Sequence, residues 1–209
     1  LDRKDARRMD RFTHLAIMAA GEALEQSGLN VEAERDEIGC MIGAGIGGMS
    51  TLEEEFKVLF EKGPTRVSPF LVPMMMANAS GAAISMRYGL RGPNETVCTA
   101  CAASTHAIGY AARMIAWGMI DACVSGGSES AGCRIGVNSF GNMTALSTAG
   151  HSKPFSPERD GFVLGDLIEC PLHQAQYHLA TGELVEGPEC PALRTYSLVE
   201  QGGRWYVET

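Results

Sequence analysis

The sequence predicts a layered α/β fold over residues 1–166, followed by a short β-rich tail. Three observations point there. Strand-like apolar runs alternate with longer stretches of helical periodicity through most of the chain. At Thr96–Gly109 a β-branched stretch gives way to an alanine-rich one, with a cysteine where the two meet. After Asp166 the pattern changes to short β-type segments punctuated by glycine.

The elements follow in order. From Ala6 to Ser27, Phe12, Leu15, Ala16, Ala19, Ala23 and Leu24 recur at helical spacing, with Gly28 placed to cap the C-terminus. Ile38–Gly43 reads as a short buried strand and Met49–Glu61 as a helix. Pro73–Arg87 is rich in small residues and predicts a helix packed closely against a neighbour, ended by Gly89. Thr96–Thr99 is the next strand, Ala102–Trp117 the helix after it, and Ile120–Ser125 another buried strand before Gly126 and Gly127. In the tail, Arg194–Leu198 and Arg204–Val207 are the β-type segments. There are no internal repeats and no low-complexity tracts.

Cys101 stands at the strand-to-helix join. A thiol at a helix N-terminus feels the positive end of the macrodipole, which favours the thiolate, and the unpaired N–H groups there can receive an oxyanion. That placement suggests acyl-thioester chemistry, against the plainer reading of a buried structural cysteine. Cys98 and Cys101 also form C-x-x-C, a redox pair or half of a zinc site; no second C-x-x-C occurs, which argues against zinc. Cys40, Cys98, Cys123 and Cys133 are expected as core thiols. His106 follows Cys101 by about 500° of helical rotation, so it projects away from the cysteine and reads as structural. Gly43, Gly45 and Gly48 satisfy G-x-G-x-x-G after a strand. The motif fits a dinucleotide cradle, but the favoured reading is a turn where backbone segments approach closely. Met74, Met75 and Met76 read most simply as adaptable core packing.

Composition excludes several classes. Of 209 residues 45% are hydrophobic and 20% charged, with a net charge of −8, which suits a globular protein and does not invite nucleic acid. No apolar run approaches the roughly 18 residues that span a bilayer, and no secretory signal pattern opens the chain. The expected location is the cytoplasm, where seven cysteines stay reduced.

Six segments carry a resemblance: SPFLVP at Ser68–Pro73, YGLRGP at Tyr88–Pro93, TACAASTHAIG at Thr99–Gly109, SGGSES at Ser125–Ser130, ALST at Ala145–Thr148 and ERDGFVLGD at Glu158–Asp166. Through them, residues 1–166 resemble the N-terminal half of the β-ketoacyl-[acyl-carrier-protein] synthases of the type II and KSα-like group. The resemblance implies a partial thiolase-like fold and an acyltransferase of fatty-acid or polyketide synthesis, needing no cofactor. Its partners would be acyl-carrier protein, bearing acyl and malonyl groups, and a second copy of the chain in a homodimer. It implies Cys101 as the nucleophile of a decarboxylative Claisen condensation, Met76 on the wall of the acyl pocket, Phe140 as a gate to the nucleophile, and Arg159 and Asp160 as a structural charge cluster. The chain opens at Leu1 inside what resembles a ketosynthase interior, and the two histidines that the family uses for decarboxylation and condensation have no counterpart here. Loss of one oxyanion donor costs about 10²–10³ in rate and of a general acid–base group about 10²–10⁴. Negligible full condensation is therefore expected of this chain.

From Ile168 the sequence resembles the C-terminal part of a Rieske-type ferredoxin, placing a joint at Gly165–Asp166 and incomplete domains at 1–166 and 167–209. In that resemblance Cys170 and His173 form one Cys–His pair of a [2Fe–2S] ligand set. No C-x-H supplies the other pair, so the cluster is expected not to assemble. An electron-transfer module and a non-catalytic chimera of two genes are the alternatives to an acyltransferase.

Overall fold

A computed structural model describes residues 2–150 and, beyond them, residues 153, 156, 158, 160–161, 163–164, 167–169, 176–178, 183–186, 197–201 and 204–208. The chain divides into two compact units, Leu1–Val137 and Asn138–Thr209.

The first unit is built on a parallel sheet whose central strand, β1 (Ile38–Gly43), lies between β2 (Asn94–Glu95) and β3 (Ala122–Gly127). Every residue of β1 is buried, as a central parallel strand requires when both faces are covered. Alternate residues serve opposite layers. Ile38, Cys40 and Ile42 pack with Ala16, Ile17 and Ala20 of α2 (Arg11–Ser27) and with Ala83 and Ile84 of α6 (Ala79–Tyr88). Met41 faces the other way, onto Ala111 and Met114 of α7 (Ala103–Ala116) and onto Ile120. The same face carries Gly43 and Gly127, which are opposite each other in register. A Cβ on Gly43 would sit 2.3 Å from the Ala103 carbonyl group, and one on Gly127 2.6 Å from Ser104 Cβ. The missing side chains let the first turn of α7 rest directly on the sheet.

The remaining helices of this unit are α1 (Arg3–Ala6), α3 (Val31–Glu34), α4 (Met49–Lys62), α5 (Leu71–Met75) and the start of α8 (Arg134–Asn142). Asp10 binds two of the helix starts together. It is 2% exposed, accepts Phe12 N–H at 3.2 Å as the N-cap of α2, and accepts Thr51 N–H at 2.9 Å and Thr51 Oγ1–H at 2.6 Å in the first turn of α4.

Several elements depart from expectation. The helix predicted from Ala6 begins at Arg11, because the Asp10 carboxylate caps the chain there; α1 is a separate turn. Gly28 does end α2 in the left-handed conformation, at φ 69°. The helix predicted over Pro73–Arg87 is two, broken by an extended Met76 at ψ 134°. The carbonyl of Met75 at that break accepts the N–H of Gly48 at 3.1 Å. The strand expected at Thr96–Thr99 pairs earlier, at Asn94 and Glu95, with one further bond from Ala44 N–H to the Val97 carbonyl. β3 starts two residues late and takes in Gly126 and Gly127; it is half-buried rather than buried, having β1 as its one sheet neighbour among the described residues. The methionine run does not fill the core, since Met74 and Met75 are half-buried and Met76 is exposed.

The second unit holds antiparallel strands: β4 (Val163–Leu164), β5 (Leu167–Glu169), β6 (Gln176–His178) and β7 (Leu184–Glu186) in sequential order, and a hairpin of β8 (Ser197–Gln201) with β9 (Arg204–Glu208). Its β content agrees with the pattern read after Asp166, and β9 covers the predicted Arg204–Val207 segment.

Candidate active site

The approach to Cys101 runs along the edge of β1. After Val97 the chain leaves the sheet, and Thr99 opens a single 3-10 turn, Ala100–Ala102, that leads into α7. The join is sharp: Ala100 has φ +50°, one of two described non-glycine residues with positive φ. For an L residue that conformation costs about 1–2 kcal/mol and persists where its surroundings over-determine it. The result is an elbow that presents Cys101, exposed, at the top of α7. α7 itself begins at Ala103, so the cysteine stands one turn before the α-helix rather than within it.

Three contacts fix this elbow. Thr99 Oγ1 and His106 Nδ1 share a 2.7 Å hydrogen bond, tying the residue before the elbow to the first turn of α7. Ala103 is buried and, with Ser104, lies against the two glycines of the sheet described above. Third, the loop 44–48 flanks the elbow: Ala44 N–H donates to the Val97 carbonyl at 3.2 Å, and a Cβ added to Gly45 would lie 3.4 Å from the Ala100 carbonyl oxygen.

That loop is the G-x-G-x-x-G segment, and its geometry favours close approach over a dinucleotide cradle. The N–H groups of Ile46 and Gly47 are given to the carboxylate of Glu129, at 2.6 and 3.3 Å. Gly47, at φ +88°, and Gly48 lie against the α5–α6 break: added Cβ atoms would come 2.7 Å from Met75 O and 2.6 Å from Met74 O. The loop therefore touches the Cys101 elbow at one end and the segment carrying Met76 at the other. Met76 is 42% exposed there. Chain neighbours of two sequence candidates, Ala100 beside Cys101 and Met75 and Ala77 beside Met76, so flank one loop that sequence reasoning had read only as a turn. Glu129 was missed; its one signal was membership of the SGGSES segment, which says nothing of where its side chain goes.

The other candidates belong to the second unit or fall outside the described residues. Phe140 belongs to the second unit, half-buried in α8, where its carbonyl accepts Ala145 N–H at 3.0 Å. Asp160 accepts from Ser147 Oγ at 2.5 Å, Thr148 N at 2.6 Å and Ala149 N at 3.0 Å. These donors, Ser147 foremost, hold its carboxyl well below the usual carboxylate range. Its described partners are thus two hydroxyls, Ser147 and Thr148 Oγ1 at 3.1 Å, and a turn's backbone; Arg159, the other member of the expected charge cluster, lies outside the described residues. So do Cys170, His173 and the Gly165–Asp166 joint.

The cysteines separate by environment. Burial pushes the Cys40 thiol up to about 11 and the Cys123 thiol, with a smaller push from Cys40, also up to about 11. Both stay protonated near neutrality. Cys133 is half-buried, and Cys98 is exposed, which corrects its expected place in the core: it lies in the segment between sheet and elbow. No group of three or more potential metal ligands occurs among the described residues, and none of their helices is long and apolar enough to cross a membrane.

Comparison with known proteins gives a consistent family. The profile of the "Beta-ketoacyl synthase, N-terminal domain" family matches residues 1–167. The chain is 48% identical over 172 residues to a 3-oxoacyl-[acyl-carrier-protein] synthase 2 of Vibrio cholerae, covering 79% of this chain and 42% of that protein. It is 43% identical over 197 residues to the Synechocystis protein of the same name, covering 90% and 47%. The chain thus spans less than half the length of these relatives. Among solved structures, a β-ketoacyl synthase from Burkholderia phymatum superposes with a TM-score of 0.64 at 30% identity, over 78% of this chain and 41% of that one. A type II PKS ketosynthase in complex with its acyl-carrier protein superposes with a TM-score of 0.66 at 26% identity, over 70% and 43%.

Proposed function

Because the chain belongs to the β-ketoacyl synthase family through its N-terminal domain, we propose that it carries the acyl-accepting half of a 3-oxoacyl-acyl-carrier-protein synthase, with Cys101 as the nucleophile. The observation that carries this reading is the elbow. An exposed thiol stands directly after a residue at φ +50° and one turn before the 14-residue helix α7. The first N–H groups of a helix have no partners within it, and the macrodipole adds partial positive charge there. Cys101 attacks the carbonyl of an acyl thioester, the tetrahedral oxyanion is received by N–H groups at the helix start, and the carrier thiol leaves with the proton that Cys101 gives up.

The acyl donor is an acyl-carrier protein, the partner in complex with one of the related ketosynthases. Supporting this on the chain itself is a cluster of exposed cations, Arg3, Lys4, Arg7 and Arg8 on and beside α1, with the Arg8 guanidinium 4.7 Å from the Phe70 ring centroid. Against a net charge of −8, such a local positive patch suits an acidic carrier. Met76, exposed at the α5–α6 break and linked to the elbow through the glycine loop, is the proposed wall of the acyl pocket, and Phe140 the proposed gate. A homodimer and a cytoplasmic location complete the reading.

The proposal is confined to acyl transfer, the step in which Cys101 itself forms and breaks bonds. The test is intact mass after incubation with acyl-carrier protein loaded with a long-chain acyl group. An adduct of the acyl mass that is lost in Cys101→Ala is expected; no adduct on a folded chain overturns the proposal.

For residues 167–209 the reading is a Rieske-like tail joined at Gly165–Asp166, which rests on the C-P-L-H segment at Cys170–His173 alone. A [2Fe–2S] centre of this type takes two cysteines and two histidines. The tail offers Cys170 and His173, and no C-x-H occurs anywhere in the chain. The donor set does not fit the cluster, and no electron-transfer step is derived from it.

A further inference from the structure

We propose that Glu129 is a positioning residue for Cys101, acting through the glycine loop; this rests on the acyl-transfer reading above. Its carboxylate takes the N–H of Ile46 at 2.6 Å and of Gly47 at 3.3 Å, so both oxygens are committed to the loop. The same loop reaches the segment before the elbow, Ala44 N–H donating to the Val97 carbonyl at 3.2 Å, and Gly45 faces both partners. A Cβ there would lie 3.2 Å from Glu129 Oε2 on one side and 3.4 Å from the Ala100 carbonyl oxygen on the other. Ala100 is the strained residue of the elbow, and Cys101 is the next residue along. The carboxylate, the loop and the elbow therefore form one continuous stack.

The residues beside Glu129 explain why it makes a firm anchor. Ser128 N–H donates to the Gly43 carbonyl at 3.0 Å, and its hydroxyl donates to the Phe12 carbonyl at 2.6 Å. The Ser130 carbonyl accepts Ser50 Oγ–H at 3.1 Å. The segment is thus pinned to the end of β1, to α2 and to α4, and Glu129 projects from it into the loop. A charged acceptor makes short, strong bonds to backbone N–H groups. The Ala100 carbonyl accepts Ala103 N–H within the 3-10 turn, and holding the loop in this way closes the space on its Gly45 side, which limits movement of the elbow and of the N–H groups around Cys101 that must meet an oxyanion.

The test separates acylation from simple thiol access. With an acyl N-acetylcysteamine thioester, Cys101 sulfur forms a new bond to the carbonyl carbon, and N-acetylcysteamine leaves carrying the displaced proton. This route passes through an oxyanion. With iodoacetamide, Cys101 displaces iodide in one step and needs no oxyanion donor. The readout is the ratio of the two rates at the Cys101 peptide, followed by mass in the whole chain alongside thermal unfolding. In Glu129→Ala the ratio is expected to fall at least about tenfold, since small misplacements at a reacting centre cost about that or more. Glu129→Gln keeps an acceptor for Ile46 N–H and is expected to stay within about threefold of wild type.

A purely structural glutamate would lower the melting temperature of Glu129→Ala while leaving the ratio unchanged, which overturns the proposal. Equal losses in the Gln and Ala variants overturn it as well. Should wild type alkylate at Cys101 but take no acyl group from either the thioester or acyl-carrier protein, the acyl-transfer reading fails and this proposal with it. Normal acylation in wild type and in Glu129→Ala alike sinks only the role of Glu129.

Discussion

At the scale of single residues, Ala100 is the position on which the elbow turns. Its side chain is exposed, so substitutions there test backbone conformation with little change in burial. Ala100→Val places a β-branched side chain at φ +50° and is expected to lower stability by about 1–2 kcal/mol in denaturant unfolding, whereas Ala100→Gly relieves the strain and leaves stability equal or higher. The Cys101 elbow was legible in the sequence because two local signals coincide there, β-branched residues giving way to alanines and a cysteine at the change. Glu129 was not legible. Its partners, Ile46 and Gly47, lie more than 80 residues away, and no periodicity encodes where a carboxylate will find backbone donors. Met76 was placed by family likeness alone; its exposure at a helix break follows from a hydrogen bond between Gly48 and Met75 that the small-residue pattern conceals.

At the scale of elements, the reading succeeded where one pattern dominates and failed where a distant partner decides. β1 has its predicted bounds because six apolar or glycine residues in a run suit a strand buried on both faces. The N-terminal helix began late because a buried carboxylate overrules a pattern that continues upstream of it. Asp10 caps α2 and also binds the first turn of α4, so its loss leaves Phe12 N–H and both Thr51 donors without their acceptor. Asp10→Ala is expected to cost about 2–3 kcal/mol, above an ordinary single N-cap. Hydrogen exchange should show the two helix starts losing protection together; loss confined to α2 would refute the shared cap. The division of Pro73–Arg87 and the early pairing of Asn94 teach the same lesson. Local composition gave helix and strand, and contacts with loop 44–48 and with β1 set their ends.

At the scale of the whole molecule, a buried and a half-buried thiol couple stability to alkaline pH. Unfolded, each cysteine ionises near its ordinary 9.0; folded, burial holds Cys40 and Cys123 near 11. Between these values the unfolded chain has released protons that the folded one keeps, so their contribution is full below about pH 9 and is lost as pH rises toward 11. Urea midpoints measured across that window are expected to fall, and to fall less steeply in a Cys40→Ala, Cys123→Ala double variant; equal slopes would disprove the coupling. The exposure of Phe60, Met86 and Trp117, each above 60%, adds apolar surface of the kind that favours association.

The parallel pairing at the heart of the first unit also has a history in time. β1 is synthesised early, with both faces apolar, yet its full-length partner β3 and the helix α7 that covers Met41 leave the ribosome only after most of the unit has been made. A nascent chain therefore carries a sticky central strand for much of its synthesis, its lateral bonds waiting on distant sequence, and folding of the site must be slow and late. The elbow cannot be formed until this closure occurs, so Cys101 becomes a presented nucleophile only as the last parts of the layer arrive.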